Sequence, residues 1–320
     1  MSFLIINLAP GGPVEQRLQQ IRFGSGGDSG VDRGTEDSSV NAEVIEALNK
    51  QYGFDKPLAE RYLIWLKNIV RLDFGESFTY GEPVWELIKS KFPVSLQFGI
   101  LSLILTYLVC IPLGVKKALT AGQAFDKISG LLLYLAYSIP PLVLGILLIV
   151  VFAGSSYLSL FPIGGIHSDN FAELSTLGKI LDRAHHFVLP MICYMIGGFT
   201  ELTLLTRNSM LDIIKSDYIR TARAKGLSER VVVFKHALRN ALIPVATGLG
   251  GFLGVFLTGS LIVETIFNLD GIGLLSYSSI LSRDYNVVMG MIFLSSMALL
   301  LGNIISDLIY VLVDPRIDFK

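Results

Sequence analysis

The chain has 320 residues, 52% of them hydrophobic and only 17% charged, with a mean hydropathy of +0.58. Soluble domains carry about 25% charged residues, so this composition excludes an ordinary water-soluble globule and points to a membrane protein. A formal net charge of −1 favours no particular partner, and two cysteines, Cys110 and Cys193, allow neither a disulfide framework nor a cysteine-based metal site.

Residues 1–9 are apolar but far short of the roughly 20 residues of a spanning helix. A signal peptide would need a basic start and a longer apolar core. Two readings fit: an interfacial stub, or the last third of a first transmembrane helix ending at Pro10-Gly11-Gly12-Pro13. Residues 10–94 have a soluble, extracytoplasmic character. Within them, 22–41 is rich in Gly, Ser and Asp and reads as a flexible loop. Its Gly24–Gly30 run lacks the Gly-Lys-Ser/Thr ending of a phosphate loop. Helical patches follow at 42–51 and 56–71. In the second, Leu58, Tyr62, Trp65, Leu66, Ile69 and Val70 recur at helical spacing, which predicts a packing stripe.

From residue 95 onward the chain is a series of apolar runs. Spans are predicted near 96–115, 128–152, 187–206, 241–263 and 287–313, each long enough for a ~30 Å hydrocarbon core. They are helices because lipid cannot satisfy a free backbone N–H or C=O. Pro112 and Pro140-Pro141 interrupt two of them and predict bends. Loop charge sets the orientation. The 116–127 loop has Lys116, Lys117 and Lys127 against Asp126, and the 207–239 stretch has eight basic residues against Asp212, Asp217 and Glu229. Both are therefore cytoplasmic. The 153–186 and 264–286 loops carry more acids than bases and face outside. An external segment directly after residue 9 then implies a span whose start lies upstream of Met1.

The 207–240 stretch lies between two apolar runs. Helix-forming residues from Ser216 lead to a break at Gly226, and a second helical run closes on Pro244. A basic patch alone also suits anionic lipid or nucleic acid. A helix pair with a glycine break between spans fits a groove on a partner protein better, so no nucleic acid is expected. Thr221, Ala222 and Ala224 are small enough for close approach, Gly226 permits a sharp turn, and Arg220, Arg223 and Lys225 offer cations to acids on a partner.

These residues carry a resemblance. The string from Tyr218 to Leu227, followed by His236-Ala-Leu-Arg-Asn-Ala-Leu-Ile-Pro244, is similar to the cytoplasmic coupling loop of permease subunits in ABC-type peptide importers. Arg220-Thr221-Ala222 stands where the general signature has Glu-Ala-Ala. Leu8-Ala-Pro-Gly-Gly-Pro13, Tyr52–Leu58, Asp73–Phe78, Val263–Gly273 and Val313–Ile317 match the same family, so the resemblance covers nearly the whole chain. The Gly-rich insertion resembles the oligopeptide branch that handles microcin-C-type peptides.

The resemblance implies an all-α polytopic bundle of the type I ABC importer permease kind with a small extracytoplasmic N-terminal region. It implies docking to ABC ATPase subunits, fused or separate, through Asp217, Tyr218, Arg220, Thr221, Ala222, Arg223, Ala224, Lys225, Gly226 and Leu227. It assigns gate packing or subunit contact to Glu264, Gly271 and Gly273. Further implied partners are a second permease, an extracytoplasmic peptide-binding protein, the peptide and the bilayer of a bacterial inner membrane. ATP and Mg would sit on partner subunits, with no cofactor or metal on this chain.

No catalytic constellation emerges: there is no Gly-x-Ser-x-Gly, no His-Glu-x-x-His and no P-loop. His185 and His186 read as interfacial residues. Glu201, an acid at membrane depth, either faces the pathway or pairs with Arg207, and Asp307 is expected to snorkel inward. The alternative to an importer subunit is a self-sufficient secondary transporter or channel. That class usually carries inverted repeats and charged midplane sites, and the sequence has no clear repeat and few buried charges.

Overall fold

The computed structural model describes Phe3 and residues 55–154, 157–246 and 259–313. The rest of the 1–9 stub, the 22–41 loop, the 42–51 helical patch, the middle of the 241–263 span and the 314–317 end of the C-terminal match lie outside the described residues. The chain divides into two compact units, one of residues up to Ser90 with Ser276–Phe293, the other of Lys91–Leu275 with Leu294 onward.

In the first unit, α1 (Leu58–Val70) ends at Arg71. Of its predicted stripe only Ile69 is buried, while Tyr62 and Trp65 pack against the Phe3 ring, with centroids 5.4 and 5.3 Å away. An isolated bridge pairs Glu76 with Pro83 just before α2 (Val84–Leu119). Asp284, fully buried, takes the Ser77 hydroxyl at 2.5 Å and the Thr79 N–H at 3.0 Å, and precedes α11 (Tyr285–Val313). A carboxylate at this position is favoured by the partial positive charge of a helix N-terminus.

The second unit is organised by the rest of α2 and by α5 (Thr176–Ile214). The α5 N-terminus is capped by Ser175, whose Oγ accepts the Gly178 N–H at 3.2 Å. Helices α2, α5 and α11 (as far as Ile309) are long and apolar enough to cross a membrane. The prolines at 93, 112 and 190 are accommodated inside α2 and α5. The apolar run at 128–152 is not one straight helix. It forms α3 (Ala124–Ser138) and α4 (Pro141–Leu148), the latter continued by a π turn at Ile149–Ala153, with a 95° bend between them. Ile139 before Pro140 is forced out of the helical region, at φ −86° and ψ 117°.

One apolar core of this unit gathers Phe98, Leu189, Tyr194, Val263, Phe267 and Leu269, with Phe98 stacked on Phe187 at 4.1 Å. Cys110 and Cys193 are both buried and free, as small core hydrophobes should be. His186 is buried rather than interfacial. Its Nδ1 lies 2.9 Å from the Asp182 carbonyl and 3.7 Å from that residue's carboxylate, while His185 reaches the Leu160 carbonyl at 2.5 Å.

Candidate functional site

The basic stretch folds as a layered cap on the ends of α2 and α5. After α5, Ser216 leads into α6 (Asp217–Ala224). Then come α7 (Glu229–Val231), a π turn at Val232–Ala237 and α8 (Leu238–Ala241). The inner layer is one apolar cluster: Val115 and Ala118 from α2, Met210 from α5, Ile219 and Ala222 from α6, then Val232, Val233, Ala237 and Ala241. Ile219 is completely buried in it. Burying such a side chain is worth roughly 2 kcal/mol, which holds α6 to the helix ends beneath it.

Gly226 terminates α6. Its φ is +76°, its N–H donates to the Arg223 carbonyl at 2.9 Å, and the Leu227 N–H donates to the Ala222 carbonyl at 3.4 Å. This pair of bonds is the Schellman ending, which needs a left-handed residue at this position. Across the turn the Arg223 guanidinium grips Glu229 through two bonds of 2.6 and 3.1 Å. That pairing holds the Glu229 carboxyl below its ordinary range and raises Arg223. Tyr218 accepts the Asn240 amide at 2.7 Å, tying α6 to α8.

Of the predicted docking residues, Asp217, Tyr218, Arg220, Thr221, Arg223, Ala224, Lys225, Gly226 and Leu227 are exposed together. Ala222 is not among them: it faces the inner layer, because it sits one turn of helix from Ile219 and shares its side. Arg223 is paired with Glu229 within the chain, through side chains that both remain exposed. Val231 and Phe234, which sequence reasoning did not single out, are also exposed apolar side chains. Their apolar character within a basic stretch was the available signal.

A second cluster lies in the 259–274 segment, across the expected end of the 241–263 span and the start of the 264–286 loop, where the chain forms α9 (Leu261–Ile266) and enters α10 (Ile272–Leu281). Glu264 is fully buried here. Its carboxylate accepts the Ser95 hydroxyl at 2.7 Å, the Tyr194 hydroxyl at 3.2 Å and the Leu274 N–H at 2.9 Å. Each hydroxyl itself accepts a backbone N–H, Ile272 on Ser95 at 2.7 Å and Ser260 on Tyr194 at 3.1 Å. Each must therefore direct its own proton at Glu264. Burial pushes this carboxyl above its ordinary range, against the downward pull of its donors.

A Cβ on Gly271 would meet the Ser95 Oγ at 2.5 Å and the Glu264 Cδ at 2.6 Å, and one on Gly273 would meet the Leu261 N at 2.6 Å. Glu264, Gly271 and Gly273 are thus all buried inside this chain, where they fold the segment. Their neighbours Leu261, Ile262 and Asn268 are exposed.

Arg207 does not pair with Glu201, which is exposed. It binds Asp126 at the start of α3 through a fork of 2.8 and 2.6 Å, and the buried Lys117 approaches the same carboxylate at 3.2 Å. Asp307 is exposed on α11. No group of three or more candidate metal ligands occurs among the described residues.

The comparisons with known proteins agree with one another. The family described as binding-protein-dependent transport system inner membrane component matches residues 110–319. The chain is 44% identical to the peptidoglycan transport system permease protein YejB of Agrobacterium fabrum, over 100% of this chain and 93% of that protein. It is 42% identical to the inner membrane ABC transporter permease protein YejB of Escherichia coli O157:H7, over 100% and 94%. It is 38% identical to the oligopeptide transport system permease protein AppB of Bacillus subtilis, over 100% and 93%. Among solved structures, a chain of the inward-facing MetNI methionine ABC transporter shares the fold, with a TM-score of 0.51 at 16% identity over 70% of this chain and 97% of that one. These relatives are transporter components rather than enzymes, ATP hydrolysis falling to partner subunits, and a self-sufficient secondary transporter is set aside. The chain belongs to the binding-protein-dependent transport system inner membrane component family, as a multi-pass permease subunit of a peptide ABC transporter.

Proposed function

We propose that this chain forms half of the translocation pathway of an importer for oligopeptides or peptide-like compounds. A second permease supplies the other half. ABC ATPase subunits, with ATP and Mg bound to them, dock on the 216–230 surface, which faces the cytoplasm. An extracytoplasmic binding protein delivers the peptide from the opposite side. The observation that carries the coupling role is α6: its outer face is exposed and basic, while its inner face is locked to α2 and α5 through Ile219. A partner that pulls on such an element moves the membrane helices with it.

The exposed Leu227, Val231 and Phe234 extend the docking surface beyond α6, so the partner groove should be apolar in part and acidic at its rim. The names of the relatives support peptides as the substrate class, and one names peptidoglycan transport. Peptidoglycan-derived peptides and microcin-C-type peptides therefore both belong in a substrate panel. The test is purification of the native complex in mild detergent, followed by reconstitution. Co-purification of an ATPase and a second permease, with ATP-dependent peptide uptake, is the expected result. A chain that purifies only with itself, or uptake that persists without ATP and collapses with the ion gradient, would overturn the reading.

A further inference from the structure

The charge cluster around Asp126 has no part in docking or in the Glu264 segment. Asp126 is 7% exposed and Lys117 only 1%. The Asp126 carboxylate receives the Arg207 fork, the Lys117 ammonium and the Gly122 N–H at 3.1 Å. Lys117 also donates to the Asp126 carbonyl at 2.7 Å and to the Ser129 hydroxyl at 2.9 Å. Two cations thus share one carboxylate, and three helices meet there: the end of α2, the start of α3 and α5 ten residues before Asp217.

The apolar cluster beneath α6 draws on α2, α5, α6, the π turn and α8, and it contains no residue of α3. At this end of the unit α3 is joined to that block by polar groups: the Asp126 cluster, and Lys116 over the Phe125 ring at 4.3 Å. Further along, α3 meets α5 again where Thr200 donates to the Leu133 carbonyl at 3.0 Å, and α4 beyond the bend packs its Gly145 against Ile266 of α9.

We infer that Asp126 is the joint through which displacement of the α6 docking surface enters α3, making it a positioning residue for transport. This rests on the coupling role proposed above. The alternative is a plain staple that only holds the fold. The two differ in what they predict. A staple affects stability, and every activity falls together. A joint sets how much helix movement each ATP cycle delivers. A carboxylate held by a planar fork transmits direction as well as attraction, because both oxygens are fixed against one rigid guanidinium.

The test uses the whole importer reconstituted in proteoliposomes, with a radiolabelled peptide digest as the transported probe, and reads uptake and ATP hydrolysis in the same sample. For Asp126→Asn the expected result is near-normal hydrolysis with uptake per ATP reduced at least about fivefold, the lower end of usual coupling between sites. Arg207→Lys keeps the charge and loses the fork, so it should fall between the two. If Asp126→Asn does not assemble, Arg207→Lys and Lys117→Met are read in the same way. An unchanged ratio of uptake to hydrolysis in variants that assemble would reduce the cluster to a staple and overturn the inference. A wild-type complex whose uptake ignores ATP would instead overturn the parent coupling role, and the joint with it.

Discussion

Substitutions at Gly226 separate backbone conformation from side-chain volume. Nothing lies within 4 Å of the place where a Cβ would stand, so a side chain there meets no obstacle within the chain. The whole penalty comes from φ +76°. An L residue held in the left-handed region costs roughly 1–2 kcal/mol, while asparagine visits it readily. For valine, branched at Cβ, a positive φ is a genuine outlier. The alternative to paying this strain is to leave the region and break the two Schellman bonds, each worth about 1 kcal/mol. Either route disfavours the docked turn by about 1–2 kcal/mol, a factor of roughly 5 to 30 in its population. We therefore predict the order Gly, Asn, Ala, Val for ATP-driven uptake in proteoliposomes. Insertion and pairing with the second permease should be unchanged, and amide exchange should rise first at Gly226 and Leu227. Uptake by Gly226→Val equal to wild type would refute the conformational argument. Equal loss for Asn and Val would refute it differently, since it would mean that the partner, not the backbone, rejects any side chain there.

Other expectations concern packing and buried polar groups. Ile219→Ala removes a completely buried side chain from the cluster under α6 and should cost about 2–5 kcal/mol. Exchange across 217–224 should accelerate and uptake should fall, while the two permeases still co-purify. Gly271→Ala places a methyl group against Ser95 and Glu264 and should cost about 1–3 kcal/mol; thermal unfolding in detergent should register it, whereas Gly226→Ala should leave the global midpoint almost unmoved. Glu264→Gln can keep Oε1 as the acceptor of the Ser95 and Tyr194 hydroxyls, and then sets an amide donor against the Leu274 N–H in place of Oε2, at about 1–3 kcal/mol for the group left unmatched. A midpoint equal to wild type would mean that the Leu274 N–H does not depend on the Glu264 carboxylate.

What the sequence made legible was local. The α6 break needed only Gly226 and its neighbours, and the basic character of the exposed α6 face needed only composition. The proline pair at 140–141 announced a bend, although not a break wide enough to divide α3 from α4. The polar clusters were hidden for a different reason. Ser95 and Tyr194 lie 169 and 70 residues from Glu264, and Asp126 lies 81 residues from Arg207. No periodicity links such pairs. Proximity misled in the case of Glu201, which stands six residues before Arg207 on one helix. At 3.6 residues per turn that places the two side chains roughly 120° apart around the axis, on different faces. Asp126 was visible as the single acid in a loop with three lysines, and that imbalance was taken only as a sign of orientation. Ala222 was judged by its size, when its side was fixed by its three-residue distance from Ile219.

The prolines between α3 and α4 have a mechanical consequence. In an unbroken helix the carbonyls of Ala136 and Tyr137 would accept the N–H groups of residues 140 and 141, and prolines there have none. Ala136 is instead served by Ile139 at 3.3 Å, and α4 begins its own ladder with Leu144 donating to the Pro140 carbonyl at 3.0 Å. Each helix therefore closes its own ladder at this connection, and what sets the 95° angle between the two rods is proline stereochemistry: two consecutive rings fix φ, and each restricts ψ of the residue before it. The change of direction is concentrated in one stiff elbow instead of being spread along a bending helix.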